Sequence, residues 1–191
     1  MSQREDLLAA ARKLLVEKGY DRTTARDLAA AAGAHLGSIG YHFGSKDDLM
    51  TAATLQAQGE WGALVDRAVE SAAASRPDQR LRACLDALIE AVADQPEILV
   101  ASCQAMAKAA LDPSIRGTLA EVHGGARSDF AALALGVTRE EVDDAQARSL
   151  GSLVHAIVIG ISMQLMLDPE SAPTGDELVA ALRVLAVGPE G

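Results

Sequence analysis

Residues 21–49, DRTTARDLAAAAGAHLGSIGYHFGSKDDL, constrain what this chain can fold into more than any other stretch. They hold two short helices and the start of a third, with a polar stop at each joint. Thr24 precedes Ala25, Leu28, Ala29 and Ala32, which share one helical face, and Asp27 stands three residues beyond it. A threonine there accepts an otherwise unpaired backbone N–H, and an acid at the third helical position returns the bond. Gly33 supplies the turn, because glycine enters a left-handed backbone without steric cost. A second helix is expected over residues 35–43, and Ser45 with Asp48 repeats the cap for a third. Helix, glycine turn, helix is the layout of a helix-turn-helix, whose second helix enters the DNA major groove.

The same residues carry a resemblance. Gly19-Tyr20, Thr23-Thr24, Ala32-Gly33, Gly37, His42-Phe43, Ser45-Lys46, Asp47-Asp48 and Leu49 stand in register with the N-terminal signature of the TetR/AcrR transcriptional regulators. The resemblance covers about the first quarter of the chain. It implies a DNA-binding head on a larger helical body that binds a ligand and pairs with a second copy.

The formal charge of −10 argues against DNA only until it is partitioned. Residues 1–50 hold seven Lys/Arg and seven Asp/Glu, whereas residues 51–191 hold ten and twenty. All the excess acid therefore lies outside the head. A neutral head relies on geometry and backbone donors more than on bulk charge, so the salt dependence of binding should be modest. The two cysteines, Cys84 and Cys103, show no metal-ligand spacing, and reduced buried thiols point to a cytoplasmic protein. No metal or cofactor is expected. Arg4, Glu5 and Asp6 precede any apolar run, which does not fit a signal peptide.

The remaining pattern is helical throughout, and the fold class is all-α with about nine helices. Ser2 and Glu5 form a capping box for a first helix ended by Gly19. A long helix runs from Ser45 to about Ala74, followed by helices over residues 78–93 and 97–110. Asp112-Pro113 opens a seventh to Leu135, with a kink expected at Gly124-Gly125. Thr138 with Glu141 is expected to cap an eighth that reaches Leu167, and Thr174 with Glu177 a ninth. Residues 1–45 make the DNA-binding domain, and residues 46–191 the ligand-binding and dimerisation domain. Residues 150–167 carry no formal charge, near the lower length limit for a bilayer span. His155, Gln164, Ser152 and Ser162 interrupt that run, so a helix buried on most of its circumference fits better than a membrane span.

The resemblance assigns DNA contact to the recognition segment and its flanks. Ser38 and Leu36 suit base edges, Gly37 permits close backbone approach, and His35 stands where a serine cap is common. Thr24, Tyr41, His42 and Lys46 suit phosphates, Lys46 aided by the helix dipole. Thr24 also fits a pure cap, Tyr41 a cover over the next helix, and His42 a packed interior histidine. Trp61, Cys103, Met106, His123, Phe130 and His155 are the bulky or polar residues on otherwise aliphatic faces, and are the candidates for lining a ligand cavity. Few aromatics and no basic cluster favour a mainly apolar ligand.

Ser152, Ala156 and Gly160 are spaced by four and make a smooth stripe on which another helix can pack closely. A dimer seam completed by Leu178, Leu182 and Leu185 is one reading, and an internal contact the other. Homodimerisation matches a recognition helix too short to read a site alone. A repressor released from a palindromic operator by a small-molecule effector follows, with a ligand-independent regulator or activator as alternative. An enzyme finds little support, because no nucleophile and base stand with an acid at useful spacing.

Overall fold

The computed structural model describes residues 2–71, 76–171 and 173–187. Among the described residues nine helices follow in order: α1 Gln3–Lys18, α2 Ala25–Ala31, α3 Gly37–Phe43, α4 Lys46–Ser71, α5 Pro77–Asp94, α6 Pro96–Ala109, α7 Pro113–Leu135, α8 Asp144–Leu167 and α9 Gly175–Val187. The described residues contain no strand. The expected end of α4 near Ala74 lies outside the described residues.

Local chemistry sets the helix starts. Ser2 and Glu5 bond reciprocally at α1, and Thr24 and Asp27 at α2. Ser45 Oγ accepts the Asp48 N–H at 3.0 Å and donates to its carboxylate at 2.7 Å. Each such cap contributes about 1 kcal/mol. α3 differs from expectation: it begins at Gly37, with Leu36 as a cap that makes no side-chain bond. The His35 carbonyl accepts the Ser38 N–H in a tight first turn, and its imidazole does not cap.

Helix α8 also starts later than Thr138 implies. Thr138 and Glu141 do form a capping box, but the turn they cap is a single 3₁₀ turn, Arg139–Glu141. Val142 is extended, and Asp143 with Gln146 forms a second box that opens α8. Within α8 the backbone widens to a π turn at Ala147–Gly151 before α-helix resumes. Helix α7 runs through Gly124 and Gly125 without a break in its helical backbone. The Arg139 guanidinium lies so close to Gly125 that a Cβ there would sit 2.9 Å from Nη2. That glycine makes room for the following turn.

Two compact units emerge, Met1–Glu60 with Gln95–Glu121 and Trp61–Asp94 with Val122–Gly191. The first does not stop at residue 45. Leu7, Leu14 and Leu15 of α1, Leu28 of α2 and Ile39 of α3 share one core with Leu49, Met50, Ala101, Ala105, Ile115 and Leu119. Three short helices bury too little apolar surface to stand alone, and α4, α6 and α7 supply the remainder. In the second unit α5 packs against α8 and α9. There Arg80 is buried and caps α7, donating Nε–H to the Leu133 carbonyl at 2.6 Å and Nη2–H to that of Ala134 at 2.9 Å. These are the carbonyls a helix C-terminus leaves unpaired. Gly136 closes the helix with φ +71°, and a Cβ there would lie 2.7 Å from the guanidinium carbon.

The expectation that residues 150–167 are buried on most of their circumference fails. By length and composition α8 could cross a membrane, yet only 28% of its apolar window is buried inside the protomer. Val154, Ile161, Ser162 and Leu165 face inward, while Leu153 and Leu167 are exposed.

Candidate nucleic-acid interface

The loop between α1 and α2 locks the head from within. Tyr20 is fully buried, and its hydroxyl bonds the Asp47 carbonyl and Thr51 Oγ1, both at 2.9 Å. Burial pushes that phenol well above its usual range, and the charges of Asp47, Asp21 and Asp48 push the same way against the Thr51 bond. The Lys46 and Lys108 ammoniums lie 5.5 and 5.4 Å from the Tyr20 ring centre. Thr23 Oγ1 donates to the Gly19 carbonyl at 2.7 Å. The glycine-aromatic pair and the first threonine of the motif therefore hold the head together, and leave the second threonine outside.

Thr24 is exposed, with a hydroxyl that accepts the Asp27 N–H and donates to its carboxylate at 2.8 Å. Lys18 bonds the same carboxylate and, with the Thr24 bonds, holds it well below the usual range. Within α3 only Ile39 is buried. Tyr41 is 86% exposed and Leu36 52%, with Gly37, Gly40 and His35 exposed beside them and Ser38 half-buried. His42 is half-buried, with its Nε2 3.2 Å from Gln3 Oε1 of α1 and its ring edge-on to Tyr41. Arg4 stacks on Phe43 at 4.9 Å. Lys46 is drawn to Asp47 Oδ1 at 3.0 Å, and Lys108 reaches Oδ2 at 3.1 Å. Burial raises the Asp47 carboxyl, but the two ammoniums outweigh it and hold the group low. The grip of Gln3 and Arg4 on the end of α3 was not read from the sequence. It spans some forty residues of chain and has no local signature.

Gly37 and Gly40 carry a second signal. A Cβ at either would meet nothing within 4 Å, so packing within this protomer does not require glycine there. Gly40→Ala is expected to stabilise the fold by about 0.5–1 kcal/mol, the usual cost of a helical glycine. Duplex binding should weaken in the same variant if this exposed face is the one that approaches DNA, because the added methyl stands on it. Thermal melting and duplex titration of one preparation check both signs.

The candidate ligand residues fall into different units. Trp61, His123, Phe130 and His155 belong to the second, while Cys103 and Met106 belong to the first, where Met106 packs on the head core. Phe130, His155 and His123 stack with ring separations of 5.5 and 4.9 Å, and His123 Nδ1 lies 3.2 Å from His155 Nε2. Burial lowers both imidazoles, the nearby Arg127 charge lowers them further, and His123 adds to the effect on His155. The buried Trp61 Nε1–H has no hydrogen-bond partner. A separate groove of about 220 Å³ in the first unit is lined by Arg12, Lys13, Leu15, Val16, Ala57, Gln95 and Ile98, none of them a candidate.

The histidine pair sets the sign of a pH effect. Each imidazole is harder to protonate in the fold than in the open chain, so the unfolded state binds more protons in acid. Stability is fully present above an unfolded value of about 6.5 and falls as pH drops through the lower folded values. The urea midpoint should therefore be lower at pH 5 than at pH 7.5, and the difference should shrink in His123→Gln.

Ser152 and Gly160 are half-buried and Ala156 exposed, and a Cβ on Gly160 would meet nothing within 4 Å. Leu178 and Leu182 are half-buried and Leu185 is 82% exposed. Among the described residues, none comes within 4 Å of where that Cβ would stand.

A helix-turn-helix head with an exposed second helix, among described residues that form no strand, is the layout of a DNA-binding protein. The chain matches the family described as bacterial regulatory proteins, tetR family, over residues 7–53, and the BetI-type transcriptional repressor C-terminal family over residues 77–186. It belongs to the TetR family of transcriptional regulators. Among solved structures, a transcriptional regulator from Pseudomonas aeruginosa PAO1 shares 22% identity and a TM-score of 0.69, covering 97% of this chain and 88% of that one. A Rhodococcus sp. RHA1 regulator shares 18% identity and a TM-score of 0.70, with 100% of both chains covered. The multidrug binding protein EbrR, solved with proflavin, shares 26% identity and a TM-score of 0.65, covering 96% of this chain and 99% of its own. No curated protein matches the chain.

Proposed function

We propose that this regulator is a homodimeric repressor that reads a palindromic operator through α3 and lets go when its body takes up a small, mainly apolar molecule. Residues 1–45 supply DNA contact, and residues 46–191 supply ligand binding and dimerisation. The observation that supports the reading is the exposed surface at α3, where Tyr41, Leu36 and two glycine backbones with open space beside them face outward. Tyr41 and Lys46 suit phosphates, as does Thr24 once its hydroxyl turns from Asp27, while Ser38 and Leu36 suit base edges. His35 flanks the same face. Such a regulator works in the cytoplasm.

For the ligand, the three-ring stack of Phe130, His155 and His123 and the unpartnered Trp61 donor favour a flat aromatic molecule bearing a hydrogen-bond acceptor. EbrR was solved with proflavin, which makes that dye a suitable first probe. A ligand releases DNA only through its differential affinity for the two states, and operator DNA must weaken the ligand by the same factor.

Mapping of bound genomic fragments supplies the operator for the test. Tyr41→Phe should weaken binding to all sequences about tenfold, the scale of a hydrogen bond to a charged oxygen. Ser38→Ala should instead change preference among operator variants. Tyr41→Phe changing the preferred sequence without weakening binding would overturn this sorting. Proflavin bound in the body with equal affinity in the presence and absence of operator would favour the ligand-independent regulator.

A further inference from the structure

We infer that the ligand of the body is a flat aromatic carboxylate, its ring lying on the Phe130–His155–His123 stack and its charge meeting the guanidinium of Arg127. The inference rests on the reading of that stack as the ligand site and narrows its ligand class. The helix crossing sets the geometry. Gly151, in the π turn of α8, lets that backbone come against the Arg127 carbonyl, where a Cβ would lie 2.0 Å from the oxygen. One turn away on each helix, His123 and His155 then meet with nitrogens 3.2 Å apart. The Arg127 side chain runs back along α7 toward His123, and its Nη2 lies 3.8 Å from where a Cβ on Gly124 would stand. His123, Arg127, Phe130 and His155 are all half-buried, so each keeps an edge open to a ligand.

Among the described residues the Arg127 guanidinium makes no ion pair and no hydrogen bond. Other arginines of this unit are engaged: Arg139 meets Asp129 at 3.1 Å, and Arg80 caps α7. Burial and the Arg127 charge hold both imidazoles low, and no carboxylate acts against them. Asp129 faces Arg139 instead, and the Asp66 charge falls on Asp129 and Cys84. Arg127 is therefore a partly desolvated positive charge without a counter-ion, which is costly to leave unpaired. A carboxylate from outside relieves that cost and matches the guanidinium fork with two parallel bonds. The histidine pair adds a donor whichever tautomer it holds. One N–H is spent between the two neutral rings, and one of the two outer nitrogens keeps its proton. The stacked rings supply the flat apolar face that an aromatic ligand needs.

The test is calorimetric titration of the full-length protein with β-naphthoate and with β-naphthamide, which share their rings and differ in charge. Naphthoate should bind wild type about ten- to hundredfold tighter, the scale of a hydrogen bond to a charged group. Arg127→Met keeps the apolar stem, so it should erase that preference while naphthamide binds as before. Proflavin, a cation, should respond with the opposite sign and bind Arg127→Met more tightly than wild type. Arg183→Gln removes an arginine of the same unit that pairs with Asp78, and should keep the wild-type preference. Equal affinity of wild type for the two naphthalene probes, or a preference that survives in Arg127→Met, would overturn the inference while the aromatic site stands. Failure of all three probes to bind wild type would overturn both this inference and the reading beneath it.

Discussion

Gly151→Ala is expected to be the most damaging single-methyl change in the described fold. A Cβ at Gly151 would lie 2.0 Å from the Arg127 carbonyl oxygen, 2.8 Å from its carbon and 3.3 Å from the Ala131 methyl. The two nearest atoms are backbone of α7, which cannot swing aside as a side-chain tip can. The methyl can be accommodated only by parting α7 from α8 at the π turn, which opens the packing around Ala131 and Val154. Overpacking a rigid contact costs about 1–3 kcal/mol and sometimes more, and this contact should reach about 3 kcal/mol. For a chain of this length that is roughly 6–12 °C in Tm. Gly117→Ala, where a Cβ meets nothing within 4 Å, is the control and should melt at or slightly above wild type. Equal melting of the two variants would mean that α7 and α8 do not approach as described.

Gly160→Leu should produce the second large effect, and of a different kind. Within the protomer there is open space at Gly160, so the variant should fold normally. A leucine on the seam between two copies would hold them apart, and two-fold symmetry counts each clash twice. About 2–6 kcal/mol of dimer stability should be lost, which raises the dimer dissociation constant by about 30-fold or more. The exposed apolar surface of α8 and α9, including Leu153, Leu167 and Leu185, gives the second copy an area to cover. Analytical ultracentrifugation separates the outcomes. A variant that stays as dimeric as wild type would place the partner elsewhere.

What could be read from the sequence, and what could not, divides along sequence separation. The caps Ser2–Glu5, Thr24–Asp27, Ser45–Asp48 and Thr174–Glu177 are written within four residues, and each forms as expected. Thr138–Glu141 forms as well, yet the helix proper opens only at Asp144, capped by Asp143. A second box lies in tandem with the first, and a single cap reading stops too early. Arg80 on the end of α7, Tyr20 beneath the start of α4 and Gln3 on His42 join residues far apart in the chain, and periodicity carries no trace of them. That α3 buries Ile39 and leaves most of its other residues exposed was legible because its motif is contiguous. The body residues were chosen by type alone, and the fold divides them: Met106 serves the head core, while Phe130, His155 and His123 stack together.

The central claim is that two copies of this chain read DNA together through α3. The most direct measurement is selection of duplexes from sheared genomic DNA by purified protein, followed by footprinting of the enriched fragments. The account predicts inverted half-sites whose centres lie about one helical turn apart, or a small multiple of it. It also predicts that Gly160→Leu protects far less of the same fragments at equal concentration. Enrichment of a single asymmetric site protected equally by wild type and Gly160→Leu, or no enrichment over random sequence, would contradict it.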